Sequence, residues 1–347
     1  MKQVRIGGQA VLEGIMMRGP ASYSLAVRKS DGEIAVEVTP YQSFSERRKM
    51  NKIPILRGVI NFIESLYIGI KTLMNSSEYF AEEEEAEEKE KKAEKASAGT
   101  EGSSADDRKE EKQEERKPGE TEKKAEKKAK KDDEEGGKGY LVWTLIISLA
   151  FAIGLFVLLP SFLGGLLLKV TDQQWAANLA EGVLRLLIFI AYIALISKME
   201  DIHRTFMYHG AEHKTINCLE AGDDLTPENV LKHTRFHRRC GTSFVFIVMI
   251  ISIIVFMFVQ TDVMWLRLLS RILLIPVIAG ISYEVLQYAG RHTNTCSRIL
   301  SAPGLWVQRL TTKEPDISMA EVAIRAVEEV IDVQEYLNCV RNNSFEK

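Results

Sequence analysis

His209-Gly210-Ala211-Glu212-His213 sets two imidazoles four residues apart with a carboxylate between them, and His233-x-x-x-His237-x-x-Cys240 follows closely. On a helix, positions i and i+4 share a face, so His209 and His213 point the same way with Glu212 a fraction of a turn aside. Thr226-Pro227 marks a helix start. A helix running on from there to Cys240 puts His233, His237 and Cys240 at i, i+4 and i+7, again on one face. Imidazole and thiolate are the ligands that zinc and similar divalent metals favour, and a catalytic site commonly uses three protein ligands with a fourth position left for water. The order H-x-x-E-H also occurs in a class of zinc proteases, where both histidines bind metal and the glutamate takes a proton from bound water. That likeness concerns chemistry, not fold. His209 and His213 are thus the expected metal ligands, with His237 or Cys240 as the third and Glu212 as general base. His233 and Glu284 are further candidates, as ligands or orienting groups. The bland alternative is that histidine pairs at this spacing arise by chance, and that Arg235, Arg238 and Arg239 meet anionic headgroups.

The elements that must position these residues belong to a membrane protein. Tyr140 to Leu168 and Cys240 to Thr261 carry no charged residue, and each exceeds the ~20 residues needed to cross a bilayer core. Ala176 to Ser197 contains Glu181 and Arg185, and Trp265 to Tyr288 contains Arg267, Arg271 and Glu284. A charge near a helix centre costs roughly 2.5–3.5 kcal/mol, and each Leu, Ile, Phe or Val returns roughly 0.3–0.6 kcal/mol. The apolar residues of 183–196 offset one arginine, with Arg185 read as lying near an end, and Arg267 and Arg271 sit in first turns where long side chains snorkel. The expectation is a mainly α, polytopic fold with a four-helix transmembrane domain over 140–297.

Lys198, Arg204, Lys214, Lys232, Arg235, Arg238 and Arg239 crowd the segment between the second and third spans, while the other connections hold almost no basic residue besides Lys169. The His-rich segment 198–240 is therefore expected in the cytoplasm, with both termini, in a multi-pass protein of the inner (cytoplasmic) membrane. Cys218, Cys240, Cys296 and Cys339 then face the reducing side as free thiols. Met1 to Arg18 lacks the charged start and apolar core of a cleavable signal peptide.

Residues 1–50 read as a small β unit, with strands at Ser24 to Arg28 and Glu33 to Val38 joined by the turn Ser30-Asp31-Gly32. Residues 51–80 read as an amphipathic interfacial helix opened by Pro54, with a narrow polar stripe of Arg57, Asn61, Glu64 and Lys71. Residues 81–139 are Glu/Lys-rich, lack an apolar stripe and read as a linker with transient helix from Glu82 to Ala96. The cytoplasmic segment 298–347 is expected to turn at Ala302-Pro303-Gly304-Leu305-Trp306. It then forms an amphipathic helix behind the capping box Ser318-x-x-Glu321, burying Met319, Val322, Ala323, Ala326, Val327 and Val330.

Several blocks also resemble one family. Gly7 to Pro20 (GGQAVLEGIMMRGP), Tyr208 to Lys214, Arg235 to Phe244, Ala279 to Glu284 and Pro303 to Thr312 look like those of the bacterial YqhQ-like membrane family of unknown function, across nearly the whole chain outside the linker. The resemblance implies a predicted metal-dependent enzyme without an established reaction, and it leaves His292 and Cys296 outside the shared blocks. It also draws attention to the first block, whose polar groups are Gln9, Glu13 and Arg18. That block either folds over the cluster to position substrate, together with Arg238 and Arg239, or is glycine-rich for tight packing. The expected function is a cytoplasm-facing divalent-metal site, with zinc the expected metal, in a hydrolase acting at the membrane surface. Membrane lipids surround it, a lipid or lipid-linked substrate follows from location alone, and no nucleic acid is expected. The alternative is a non-enzymatic scaffold or assembly factor with a structural metal or polar network. A transporter comes third, with Arg185, Arg267, Arg271 and Glu284 along a path.

Overall fold

The computed structural model describes residues 6–44, 52–98, 143–144, 146–167, 173–259, 263–292 and 294–344, so most of the expected linker lies outside the described residues. The fold is mainly helical, with one small sheet at the N-terminal end. Strands β1 (Gly7–Val11), β2 (Gly14–Arg18), β3 (Ser22–Arg28) and β4 (Ile34–Pro40) form an antiparallel meander in chain order. The β3–β4 turn uses Gly32 at φ 88°, and the Asp31 carboxylate accepts from the Glu33 N–H at 2.8 Å. Both faces of the sheet are covered, which explains why Gly14 to Met17 reads as an unbroken apolar run. Ile15, Met17 and Ala26 pack on the helices α4 (Glu200–Ala221) and α9 (Ile317–Glu328), while Val11, Met16, Leu25 and Val27 pack against Ile68 of helix α1 (Leu56–Ala98).

Helix α1 is longer than the expected 51–80 and takes in the first part of the charged segment. Three residues of its polar stripe meet protein, while Lys71 is exposed. Arg57 pairs with Glu284, Asn61 donates to Tyr283 Oη at 2.7 Å, and Glu64 accepts from Tyr41 at 2.6 Å and Ser43 at 2.8 Å. Ile63, Leu66, Tyr67, Ile70, Leu73 and Met74 face outward and are exposed. Polar inside and apolar outside is the reverse of a water-soluble surface helix.

Among the described residues, three helices are long and apolar enough to cross a membrane: α2 (Ile146–Leu166), α3 (Gln174–Ile196) and the Leu269–Arg291 part of α7 (Met264–Arg291). The remaining expected span, Cys240 to Thr261 and third in chain order, is shorter than foreseen. It is α6 (Gly241–Met257), 17 residues, which at 1.5 Å per residue reaches about 26 Å against a hydrocarbon core of ~30 Å. Its last carbonyls do not go unsatisfied: Asn178 Nδ2 of α3 donates to Phe256 O at 3.1 Å and to Val259 O at 3.3 Å.

Arg185 is not near an end. It lies midway along α3 and is held inside the bundle, where Nε donates to Phe156 O at 2.9 Å within the π-turn Gly154–Leu158 of α2. Glu181 accepts from Arg185 at 2.9 Å, from Ser161 at 2.8 Å and from both terminal nitrogens of Arg271 at 2.6 and 3.0 Å. Arg271 therefore points inward to α3 instead of snorkelling outward. The charges that looked like insertion penalties tie α2, α3 and α7 together.

Two expectations for the C-terminal segment change. The residues expected to turn, Ala302 to Trp306, lie inside helix α8 (Thr295–Thr311), where a Cβ on Gly304 would stand 2.6 Å from Ser243 Cβ. Gly304 thus permits close approach of α8 to the start of α6. Helix α9 begins behind Asp316, whose carboxylate accepts from the Met319 N–H at 2.9 Å, so the cap lies ahead of Ser318. The apolar stripe from Met319 to Val330 is buried as expected, and helix α10 (Val333–Arg341) adds Tyr336 and Leu337 to the same core.

Glu181→Gln leaves two buried guanidiniums facing no carboxylate. Removing one partner of a buried ion pair costs about 3–5 kcal/mol, so thermal unfolding of the purified protein in detergent is expected at markedly lower temperature than for the wild type.

Candidate metal centre

Helix α4 carries His209 and His213 on one face, with ring centroids 4.4 Å apart. Each ring is fixed from behind by a backbone carbonyl: His209 Nδ1 lies 2.7 Å from Thr311 O, and His213 Nδ1 lies 2.6 Å from Arg235 O. A carbonyl only accepts, so each Nδ1 carries a proton and Nε2 is the ring nitrogen left for a metal. That is the orienting contact commonly found behind metal-binding histidines. His209 Nε2 is 3.2 Å from Cys240 Sγ, and His213 Nε2 is buried without a hydrogen-bond partner.

Cys240 enters as the N-cap of α6, and its sulfur accepts from the Thr242 N–H at 3.4 Å and lies 3.1 Å from Thr242 Oγ1. Burial opposes a charge on Cys240, but His209 and His213 beside it hold the thiol well below its ordinary range. Burial likewise works against His209, yet the Cys240 sulfur, with Glu212, raises that imidazole to about 9. The ligand atoms of His209, His213 and Cys240 lie within 4.8 Å of one another. Glu212 Oε2 shares the space, 3.5 Å from His213 Nε2 and 4.0 Å from His209 Nε2. Two imidazole nitrogens, one of them the orphaned His213 Nε2, and one thiolate fit a divalent ion of the zinc type.

The second cluster arrives differently from the helix expected of it. Helix α5 (Pro227–Lys232) ends before His233, which takes extended backbone and turns its Nε2 to Asp223 Oδ2 at 3.0 Å. His233 is therefore outside the trio. His237 comes in on the following loop with its ring centroid 5.6 Å from that of His213, and Nε2 sits 3.8 Å from Glu220 Oε2. Burial pushes the His237 imidazole down. It flanks the centre, and Cys240 completes the trio.

Glu284 is held by Arg57 on α1, with Nε to Oε1 at 2.7 Å, so it orients no ligand of the trio. Of the polar groups in the first block, Gln9 Nε2 reaches Gly69 O at 3.5 Å, Glu13 pairs with Arg204, and Arg18 donates to Tyr41 Oη at 2.9 Å. Arg239 pairs with Glu220, and Arg238 is partly buried in the same loop. The block does reach the centre, but through a residue without a side chain: a Cβ on Gly8 would stand 2.7 Å from Glu212 Cγ.

Gln308 and Thr311 of α8 went unnoticed as contributors. Gln308 is fully buried and clamps the His237 peptide, accepting from its N–H at 2.9 Å and donating to its C=O at 2.7 Å and to Ser243 Oγ at 2.8 Å. The available signal was the polar face that Gln308, Thr311 and Thr312 share with Gly304 on an amphipathic helix.

Residues 53–333 match the family described as protein of unknown function (DUF1385). The chain belongs to this family. The uncharacterized protein YqhQ of Bacillus subtilis (strain 168) is 34% identical over 331 residues, covering 94% of this chain and 92% of the relative. No solved structure matches. The DUF1385 match includes the trio, Glu212, His237 and Gln308 but begins after the sheet. The relative's match, covering 94% of the chain, takes in at least part of that N-terminal unit as well.

Gly210 separates the first histidine from the rest of its motif because the backbone of Lys313 occupies the place of a side chain there. That neighbouring segment bonds Lys313 N–H to Phe206 O at 2.8 Å and supplies Thr311 O to His209. Gly210→Ala is expected to destabilise the protein by about 1–3 kcal/mol and to weaken zinc binding. Thermal unfolding and zinc titration of the same preparation check both.

Proposed function

We propose that this is a multi-pass protein of the cytoplasmic membrane whose His209–His213–Cys240 trio holds a divalent metal, zinc by its donor set, in a hydrolase working at the cytoplasmic bilayer surface. The observation that carries the reading is the carboxylate of Glu212 beside two tautomer-fixed imidazoles and a lowered thiol in one buried space. Four crossings fit the chain: α2, α3 and α7 are long enough, and Asn178 satisfies the end of the shorter α6 within the bundle. The basic residues from Lys198 to Arg239 favour a cytoplasmic position for the centre and for both termini.

When bound, the metal would supply Lewis-acid chemistry, making water a nucleophile near neutral pH. The chain's own groups divide the remaining work. Thr311 O and Arg235 O keep the imidazole lone pairs aimed, Glu212 accepts the proton of the attacking water and returns it to the leaving group, and burial keeps bulk water away. Arg18, Arg238, Arg239, Gln9 and Glu13 are weaker candidates for positioning substrate, because four of them are already engaged by protein partners. A lipid-linked substrate rests on the membrane setting alone.

Purified wild-type protein is expected to carry one zinc per chain by elemental analysis. His213→Ala and Cys240→Ser each remove a ligand, so affinity is expected to fall by more than the roughly 10–100-fold seen for loss of an orienting contact. Glu212→Gln is expected to keep the metal and abolish function in cells. Stoichiometric zinc unchanged by His213→Ala ends the assignment, and full function in Glu212→Gln turns it toward a structural metal in a scaffold.

A further inference from the structure

Among the described residues, strand β1 is an edge of the sheet. The Arg28 N–H donates to Glu13 O at 2.9 Å, so Glu13, Ile15 and Met17 bond toward β3. Antiparallel ladders alternate, which leaves Gly14, Met16 and Arg18 bonding to Val11, Gln9 and Gly7. The N–H and C=O groups of Gly8 and Ala10 consequently point away from the sheet.

Free edges invite another strand, and proteins usually guard them with charge, proline, a bulge or a covering element. The opposite edge is guarded: β4 ends in Pro40 and carries Glu37, to which Asn75 of α1 donates at 3.2 Å. β1 reads Gly-Gly-Gln-Ala-Val, with neither charge nor proline. Gly7 is exposed with open space where a side chain would stand, and Gly8, Gln9 and Ala10 are partly exposed. The bare stretch is also the part of the sheet that lies on Glu212.

Building on the hydrolase reading, we propose that β1 receives an extended polypeptide as an added strand and lays its backbone alongside Glu212 and the trio, so that the substrate class is polypeptide. Main-chain hydrogen bonds to Gly8 and Ala10 hold such a chain whatever its sequence, and the paired glycines let a second backbone come close. Hydrolysis breaks one C–N bond and consumes one water. The water oxygen becomes part of the new carboxylate, and the proton taken by Glu212 ends on the departing amine. A lipid phosphate asks for free cations, and Arg18, Arg204 and Arg239 already face Glu64, Glu13 and Glu220, which leaves Arg238 as the cation of that group without a carboxylate partner among the described residues.

The test is residue-resolved hydrogen exchange on full-length, zinc-loaded Glu212→Gln protein in lipid nanodiscs, with β-casein as an unfolded polypeptide probe. At ten times the dissociation constant, exchange of the Gly8 and Ala10 amides is expected to slow about tenfold, whereas raising the phosphatidylglycerol content leaves it unchanged. Ala10→Pro removes one outward donor and spares the ladder to β2. With Glu212 intact, this variant is expected to cleave casein about tenfold more slowly at unchanged zinc content. No casein-dependent slowing at Gly8 and Ala10 up to millimolar probe, slowing produced by anionic lipid instead, or wild-type cleavage by Ala10→Pro overturns the proposal. Zinc stoichiometry and Glu212-dependent hydrolysis of a p-nitrophenyl ester report separately on the hydrolase reading, so either can fall without the other.

Discussion

Two carbonyl oxygens from outside helix α4 determine what its histidines can do. Thr311 O at the end of α8 and Arg235 O in the loop before α6 each hold an Nδ1, and through it the ring plane, the tautomer and the direction of the remaining lone pair. The surrounding contacts serve to place those two oxygens. Gly210 admits the chain after α8, Gln308 clamps the loop at His237, and Gly304 seats α8 on the start of α6, the helix that Cys240 caps. The centre is thus a closed circuit of four segments, and a displacement in any one is felt by the others.

This circuit explains which parts of the site were legible in sequence. His209, Glu212 and His213 lie on one helix, and a 3.6-residue period suffices to gather them. The same period misled at His233, because no apolar stripe supported a helix past Lys232, and Asp223 draws the ring elsewhere. Gln308 and Thr311 act from another helix, and local spacing does not reveal a contact between residues separated by 71 or 102 positions. Pro303-Gly304 carries ordinary turn chemistry, yet tertiary packing keeps the helix going because Ser243 needs the room that glycine leaves. The β3–β4 hairpin was plain because Ser30-Asp31-Gly32 states its turn locally.

Helix α1 joins the two halves of the molecule. Its first turns meet α7 through Arg57 and Asn61, its middle meets the sheet through Ile68, and its outward residues are apolar. The sheet that covers Glu212 is therefore tied through one helix to the helical bundle, which fixes the position of the centre relative to α7. A narrow polar stripe in such a helix marks protein contact, the reverse of its meaning on a water-soluble surface.

Glu181 and Arg185 sit one turn apart on α3 and largely cancel each other before any neighbour arrives. Arg271 has no such companion on its own helix among the described residues and reaches across to α3 for its carboxylate. The Glu181–Arg185 pair can therefore form within α3 alone, whereas Arg271 finds its carboxylate only once α7 docks on α3. Assembly of the bundle thus acquires an order: α7 depends on α3 being in place, and a chain in which α3 is displaced leaves Arg271 facing no carboxylate.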